Sequence, residues 1–412
     1  MKKLLMNSCI ALTAATMLIG CDKNDNPTPG IKYNPGKITL SAAQQQNVNG
    51  NNGFALRLFN QVASASDKSF VLSPISLTYT LAMLNNGAAG ETQREITKGL
   101  GFGETTPTAV NALCNKLITE APKLDKSTRI DIANAVVVNE KYKLLPGFTS
   151  TVTKDYGALA VNKDFTSPAT LTYINDWCKT KTQGMIPQII DKVNPKALTY
   201  LLNAIYFKGR WLEKFNKNNT RETTFTTEKN VKTKVQMMHQ KTGFRYNENA
   251  ICQTLILPYG NGSYQMVVLL PREGKKITDV LNSLNAEKWT DNIKKCHNTK
   301  VNLSLPRFTT TYNQQLNSIV QALGMSLIFN TTKADFSRLS TTPSYVSRIL
   351  QNAKIEVDEQ GTKAAAATVV ENGLTAIGPE SEVVFKADHP FIYAITEHST
   401  GTIYFMGIYQ GN

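Results

Sequence analysis

Hydrophobic positions along the chain follow two periods, helical mainly in the first half and strand-like mainly in the second. Apolar residues three and four apart predict helices, because side chains at that spacing share one helix face. This spacing is found at residues 53–62, 77–83, 93–100, 173–182 and 314–323, and Gly324 ends the last of these helices.

Alternating or continuous apolar runs predict strands elsewhere. Residues 201–207 are almost continuously apolar, which is typical of a strand buried on both faces. Residues 254–258 and 264–270 flank the turn Gly260-Asn261-Gly262 and predict a hairpin. Further strands are predicted at 130–138, 300–305, 383–385, 391–396 and 403–408, and 347–357 as a helix end running into a strand. Helices followed by strands indicate an α+β fold.

The segment 359–368, E-Q-G-T-K-A-A-A-A-T, is the most informative part of the chain. Gly361 supplies backbone freedom. Small side chains then stand at alternate positions, so in a strand they would all face one crowded interior, with Lys363 facing water. These small residues are Thr362, Ala364, Ala366 and Thr368. The segment can therefore be a solvated loop in one state and a buried strand in another. Taken alone, its alanines also suit a surface helix ending near Asn372-Gly373.

The N-terminus has the pattern of a targeting segment. Lys2 and Lys3 precede a mostly apolar stretch, which is typical of a signal peptide at residues 1–20. The sequence Leu18-Ile19-Gly20-Cys21 resembles a bacterial lipobox, which implies cleavage before Cys21 and acylation of that residue. Residues 21–44 then form a lipidated cysteine and a flexible, Pro- and Gly-containing tether, and 45–412 form one folded domain. This predicts a lipoprotein of the bacterial cell envelope that faces the periplasm or the exterior.

Charge and cysteine usage narrow the function classes. The net charge is +14, or +12 after Lys2 and Lys3 are removed (14 − 2), but no run of five like charges occurs. We therefore expect dispersed lysines and no nucleic-acid partner, with acidic-glycan binding as a remote alternative.

The six cysteines show no C-x-x-C spacing, which predicts no metal site, and we expect the last four to be free and buried. In chain order the six cysteines are Cys9, Cys21, Cys114, Cys178, Cys252 and Cys296.

Catalytic motifs are absent from the sequence. It contains no G-x-S-x-G, no H-E-x-x-H and no G-K-[ST] phosphate loop. Asp388-His389 suggests a dyad, but it lies within D-H-P-F, where a strand is predicted to begin. We therefore expect neither an enzyme nor a cofactor.

Several segments together resemble the serpins, a family of suicide inhibitors of serine and some cysteine proteases. Besides the segment 359–368, they are F-V-L-S-P-I-S-L at 70–77, L-N-A-I-Y-F-K-G-R-W at 202–211, L-I-L-P-Y at 255–259, M-V-V-L-L-P at 266–271, A-D-F at 334–336, and D-H-P-F and F-M-G between 385 and 407. The resemblance covers roughly 45–410. It implies a single monomeric domain with three β-sheets, about nine helices and an exposed reactive-centre loop at about 359–382.

The resemblance also implies a mechanism and a cleaved bond. A protease attacks the loop, and the freed segment inserts into the main sheet before the acyl-enzyme can be hydrolysed. In the family the bond usually follows the seventeenth residue from the hinge glutamate, which from Glu359 gives Thr375-Ala376. No arginine or lysine lies nearby, so an elastase-like target is favoured over a trypsin-like one. Cleavage at Leu374 would instead suit chymotrypsin-like or subtilisin-like enzymes, and a cysteine protease is a further alternative.

Three groups of residues match positions with roles in the family. The hinge comprises Glu359, Gly361, Thr362, Ala364, Ala365, Ala366, Ala367 and Thr368. A region where strands part during insertion comprises Ser73, Ser76, Asn203 and Gln351, the last replacing a common histidine. At the top of the sheet, Glu359 and Arg307 are expected to form a salt bridge near Trp211, the alternative being two unrelated surface charges. An inhibitory-type hinge predicts an inhibitor, and the alternative is a non-inhibitory serpin-fold binding or structural protein.

Overall fold

Two hydrogen-bonded β-sheets, packed over a central helix, organise the fold. The structure is a computed structural model and describes residues 32–184, 186–362 and 382–411. Residues Ile31–Asn412 form one compact unit. No helix in the described ranges is both long and apolar enough to cross a membrane.

Nine α-helices lie within the described residues. They are α1 (Ala42–Ser64), α2 (Pro74–Asn85), α3 (Gly90–Gly99), α4 (Pro107–Glu120), α5 (Pro146–Tyr156), α6 (Pro168–Lys181), α7 (Ile277–Ser283), α8 (Ala286–Lys294) and α9 (Asn317–Ala322). Four of them begin at a proline, which suits the first helical turn because its missing N–H would have no partner there. Side chains of Ser73, Thr106 and Ser167 cap three of these four.

Fifteen strands complete the described structure. They are β1 (Phe70–Leu72), β2 (Arg129–Asn139), β3 (Leu159–Lys163), β4 (Thr199–Arg210), β5 (Arg221–Thr226), β6 (Lys232–Glu248), β7 (Cys252–Tyr259), β8 (Tyr264–Pro271), β9 (His297–Pro306), β10 (Phe308–Gln315), β11 (Arg348–Asp358), β12 (Gly361–Thr362), β13 (Val383–Lys386), β14 (Phe391–Glu397) and β15 (Ile403–Tyr409).

The six-stranded sheet carries the hinge. Its order is β10-β11-β12-β4-β2-β3. The central strand β4 is buried along almost its whole length, as its continuous apolar sequence predicts. Its two faces contact different cores. One face packs on α2 and the second sheet, and the other lies under α6 and residues 186–190.

The other sheet has nine strands, in the order β1-β15-β14-β8-β7-β6-β9-β13, with β5 paired to β6. The long strand β6 pairs with β5 from Lys232 to Met237, with β9 from Met237 to Tyr246, and with β7 from Arg245 to Glu248. Two of the three sheets expected from the resemblance are therefore joined by hydrogen bonds through β6 in the described residues. The predicted α+β class is confirmed.

Two sequence predictions are wrong at their boundaries. Residues 314 and 315 end the strand β10, and the helix α9 begins only at Asn317. The segment 347–357 contains no helix end, because β11 pairs with β10 from Leu350 to Val357 and with β4 from Arg348 to Ala353. Pairing with partners far away in the sequence overrides the local pattern here.

Candidate functional site

The hinge enters the six-stranded sheet as a third strand at one end. In β12, Gly361 pairs with Asp358 of β11 on one side and with Arg210 of β4 on the other. Thr362 likewise pairs with Val357 and Gly209. Both pairings are antiparallel, so the chain turns back from β11 and starts down the gap between two strands.

The other half of this gap is closed by direct pairing. Strands β4 and β11 run parallel and pair from Tyr200 with Arg348 to Ile205 with Ala353. Their direct pairing ends there, and β12 lies between them four residues further along. The sheet is therefore closed at one end and opened by the hinge at the other.

Gly361 and Thr362 fit the gap because they are small. Gly361 has φ of +139°, and a Cβ there would lie 2.1 Å from the carbonyl oxygen of Gly209, so only glycine fits. Thr362 is completely buried, and its hydroxyl lies 2.8 Å from the hydroxyl of Tyr259. Thr362, the first of the small alternate residues, thus faces the interior, where its hydroxyl has a hydrogen-bond partner.

Trp211 fixes the turn that precedes β12. Its indole N–H donates to the carbonyl of Asp358 at 2.9 Å, and its backbone N–H donates to the carbonyl of Gln360 at 2.9 Å. The ring stacks on Tyr259 with centroids 4.3 Å apart. Trp211 therefore holds the end of β11 and the turn through hydrogen bonds, and it packs against Tyr259, the hydrogen-bond partner of Thr362.

The salt bridge expected between Glu359 and Arg307 is not formed among the described residues. Glu359 is buried, and its Oε1 accepts a hydrogen bond from the hydroxyl of Thr220 at 2.8 Å. Arg307 is exposed. Burial raises the pKa of the neighbouring Asp358, and the charge of Arg307 opposes that shift. A hydroxyl thus bonds one oxygen of the buried carboxylate where a guanidinium was expected, whereas Oε2 has no hydrogen-bond partner among the described residues.

The four residues predicted to lie where strands part are brought together beneath the closed half of the sheet. Gln351 and Asn203 stand opposite each other on β11 and β4, and the Gln351 amide donates to the Asn203 oxygen at 3.2 Å. Gln351 also exchanges two hydrogen bonds with the backbone of Ser73, at 2.8 and 3.1 Å. Asn203 in turn donates to the carbonyl of Ser76 at 3.0 Å and contacts its hydroxyl.

Two members of this cluster were missed from the sequence. Asn134 of β2 accepts from Asn203 at 2.7 Å and from the hydroxyl of Thr80 at 2.8 Å. The signal was present, since Asn134 interrupts the run 132–138, which is otherwise apolar. We call Ser73, Ser76, Thr80, Asn134, Asn203 and Gln351 the opening network; all six are buried. Buried amides and hydroxyls need such partners.

The remaining predicted site residues lie outside the described residues. They are Cys21, Ala364, Ala365, Ala366, Ala367, Thr368, Leu374, Thr375 and Ala376. The described chain resumes at Glu382, whose carboxylate pairs with Lys241 at 2.6 Å. From Val383 onward β13 pairs with β9, so the segment 363–381 connects one sheet to the other.

His389, just beyond β13, is held between two acceptors. Its Nδ1 lies 3.0 Å from Asp388 Oδ1, and its Nε2 lies 2.9 Å from the carbonyl oxygen of Pro271. Both ring nitrogens can donate only in the imidazolium. Burial alone lowers the pKa of His389, but these two hydrogen bonds and the charge of Asp388 outweigh it and raise the pKa. Burial raises the pKa of Asp388, but the hydrogen bonds and positive charges of His389 and Lys386 outweigh burial and lower this pKa to about 2.

The other reactive groups of the described residues do not form a site. Four cysteines are free and buried, and burial raises the pKa of Cys114 and Cys178 to about 12. No group of three or more His, Cys, Asp or Glu residues within the described ranges could hold a metal ion.

Comparisons with known proteins agree with this geometry. The family model of serpin (serine protease inhibitor) matches residues 49–410. Leukocyte elastase inhibitor A of Rattus norvegicus is 34% identical over 372 residues, covering 87% of this chain and 97% of that protein. The native thermophilic serpin tengpin has a TM-score of 0.81 and 30% identity, covering 92% of this chain and 97% of tengpin. A complex of thyroxine-binding globulin with thyroxine has a TM-score of 0.79 and 25% identity, covering 89% and 98%.

In this sheet, β12 of the hinge lies between β4 and β11, which pair directly with each other over only part of their length. This arrangement places the protein in the serpin class of folds. The family match covers most of the chain, and the chain belongs to the serpin family.

The opening network predicts a specific loss of stability. Asn203→Ala leaves Gln351, Ser76 and Asn134 each one hydrogen bond short in a buried place, so the free energy of unfolding should fall by about 1–3 kcal/mol. Urea unfolding followed by intrinsic fluorescence measures this. The control is Asn313→Ala in the exposed part of β10, which should change the free energy by less than about 0.5 kcal/mol. Equal effects of both variants would contradict the role assigned to the network.

His389 predicts a pH-dependent contribution. Because its folded-state pKa is raised, its stabilisation is fully present below the unfolded pKa of about 6.5 and is lost as pH rises through the folded pKa. His389→Gln should therefore cost about 1 kcal/mol at pH 6, allowing for solvent screening, and less at pH 9. Urea midpoints of both proteins at the two pH values test this. A cost that is the same at both pH values, or larger at pH 9, would refute it.

Proposed function

We propose that this serpin inhibits serine proteases as a suicide substrate. The protease serine attacks the carbonyl carbon of Thr375, the bond to Ala376 breaks, and the new amine of Ala376 leaves with a proton. The product is an ester between Thr375 and the protease. The freed segment then continues β12 down the sheet, and its insertion prevents hydrolysis of the ester.

The single observation that carries this proposal is the position of β12. Its two residues are already paired on both sides, between the strands that insertion would separate. Continuing the same register would place Ala364 between Phe207 and Ile355, and Ala366 between Ile205 and Ala353. These four neighbours belong to the core that lies between the two sheets. The alternate small residues of the hinge would thus enter that core.

The same register would bring Thr368 to the opening network. Counting on from Thr362, its neighbours would be Asn203 on β4 and Gln351 on β11, which now bond to each other. The Thr368 hydroxyl can both donate and accept, so it can replace the hydrogen bond that insertion breaks. This match supports the proposal that Thr368 takes the place between Asn203 and Gln351 after insertion.

The energy balance favours insertion. About a dozen added residues would gain ladder hydrogen bonds, each with a net contribution of about 0.5–1.5 kcal/mol, which gives a gain on the order of 10 kcal/mol. The opposing terms are the six residue pairs between β4 and β11 and the hydrogen bonds of the opening network. Each inserted residue would pair with a strand on both of its sides, whereas each residue of a separated β4–β11 pair would lose its pairing on one side only.

An elastase-like enzyme is the target that we favour. The residues around Thr375 are small or apolar and include no cation. The relative from Rattus norvegicus carries the name leukocyte elastase inhibitor A. We also propose that the chain is a monomeric lipoprotein of the bacterial cell envelope, anchored through Cys21, on the basis of the lipobox-like sequence.

The direct test is a denaturing gel after incubation with pancreatic elastase. We expect a covalent band near the summed masses, because the ester survives denaturation, and mass spectrometry of the released peptide should begin at Ala376. A peptide that begins at Thr375 would move the bond to Leu374. Complete cleavage without the covalent band would contradict inhibition and favour a binding protein, of which the thyroxine complex of a relative is an example.

The hinge predicts a matched pair of variants in the same assay. Thr362→Arg places a guanidinium where Thr362 is now fully buried, so it should turn the protein into a substrate and abolish most of the covalent band. Lys363→Arg changes the next residue, which should face away from the core, and should leave the yield unchanged. Thermal unfolding checks that both variants are folded. A normal yield from folded Thr362→Arg would refute insertion at this point.

A further inference from the structure

The first described residues form an extended strap, residues 32–40, that is fixed to the folded unit by its backbone. The N–H of Asn34 donates to the carbonyl of Asn261 at 2.8 Å, that of Gly36 to the hydroxyl of Ser263 at 2.8 Å, and that of Ile38 to the hydroxyl of Ser399 at 3.0 Å. The strap therefore follows one defined path along the β7–β8 turn, and the flexible tether predicted for residues 21–44 is wrong from residue 32 onward.

Side-chain packing restricts the same path. The Tyr33 ring meets the His398 ring edge-on, with centroids 6.4 Å apart, and a Cβ on Gly262 would lie 2.4 Å from the Tyr33 ring. A Cβ on Gly36 would lie 3.0 Å from the carbonyl oxygen of Leu124. Ile38 is buried in the main core. The point where the chain leaves the folded unit is consequently fixed near Tyr33.

Four exposed lysines surround this exit. Lys32 and Lys37 belong to the strap, and Lys123 and Lys126 flank Leu124 and Asp125. Those two residues are in contact with the β7–β8 turn, because the Asn261 amide donates to the Leu124 carbonyl at 2.8 Å. We call Lys32, Lys37, Lys123 and Lys126 the lysine face. None of the four forms an ion pair with an acidic residue in the described part of the chain.

Two carboxylates nearby in the sequence are turned inward. Asp125 is buried and accepts hydrogen bonds from the Ser127 N–H and hydroxyl and from the Thr128 hydroxyl. Glu397, next to His398, is completely buried and accepts from Ser399 and Thr400. These two carboxylates therefore do not present their charge to solvent beside the four lysines.

We propose that the lysine face binds the anionic phospholipid headgroups of the membrane that holds the chain, which rests on the lipid anchor at Cys21 proposed above. Cys21 and Tyr33 are 12 positions apart in the sequence, and a fully extended chain of that length reaches at most about 40 Å. The lysine face surrounds the residue where this connection enters the folded unit. Each lysine near an anionic surface strengthens binding by about fivefold.

Binding through this face would also orient the inhibitor. The N–H of Gly260, in the same turn, donates to the carbonyl of Arg210 at 2.7 Å, and Arg210 pairs with Gly361 of the hinge. The exit and the hinge therefore lie at the same end of the six-stranded sheet. A protease that meets the loop in this orientation would be one that works close to the membrane.

The test uses the unlipidated chain from residue 22, which contains the compact unit, and vesicles of phosphatidylcholine with or without 30% phosphatidylglycerol. We expect sedimentation with the anionic vesicles only, weakening as salt is added. Reversing the lysine face with Lys32→Glu, Lys37→Glu, Lys123→Glu and Lys126→Glu should weaken binding by at least tenfold.

The control reverses four exposed lysines at the other end of the sheet. Lys141 and Lys143 follow the end of β2, and Lys192 and Lys196 precede the start of β4. This variant has the same net charge and should bind almost as the unaltered chain does. Equal losses in both variants would show a general charge effect and overturn the proposal, as would binding to soluble dextran sulfate without binding to vesicles.

Separate readouts distinguish this proposal from the proposed function. The yield of the covalent elastase complex should be the same for both reversed variants, because neither changes the hinge. Mass spectrometry of Cys21 in the full chain from bacterial membranes tests the anchor itself. An unmodified Cys21 would remove the proposed anchor, whereas failure of vesicle binding with an acylated Cys21 would refute only the lysine face.

Discussion

The structure depends on one incomplete pairing, that between β4 and β11. These neighbouring strands run parallel and are joined directly from Tyr200 to Ile205 on β4, whereas β12 lies between them near their ends. A gap of this kind leaves ladder hydrogen bonds to be made inside an otherwise complete sheet. The chain that would make them starts within the gap, at Gly361 and Thr362, so in the proposed insertion separation of the strands and growth of the new strand would be a single process.

The opening network would couple the proposed insertion to the helix α2 below the sheet. Gln351 and Asn203 link β11 to β4, and they bond to the N-terminal end of α2 at its cap Ser73 and at Ser76. All these groups are buried, so none can be separated without a replacement partner. In the insertion proposed above, the continued register would bring Thr368 between Gln351 and Asn203 and would offer that partner. Under this proposal, the native sheet would stay closed before cleavage and accept the hinge afterwards.

Much of this was predictable from sequence because it rests on residue size and periodicity. Gly361 with Thr362, the apolar run of β4 and the Gly260 turn each determine local structure. The partners of buried polar groups were not predictable in the same way. Thr220 takes the place expected for Arg307, and Asn134 joins Asn203, because such contacts depend on how distant elements meet. The end of β10 was misassigned for the same reason, since pairing with β11 overrides the helical spacing of its last residues.

The central claim is that the segment beyond Thr362 is more stable inside the sheet than outside it once its far end is free. The most direct measurement is the melting temperature of the chain before and after a single cut in the segment 363–381 by a protease that does not remain bound. The account predicts a rise on the order of 20 °C, corresponding to the added ladder hydrogen bonds. An unchanged or lower melting temperature in the cut chain would contradict it.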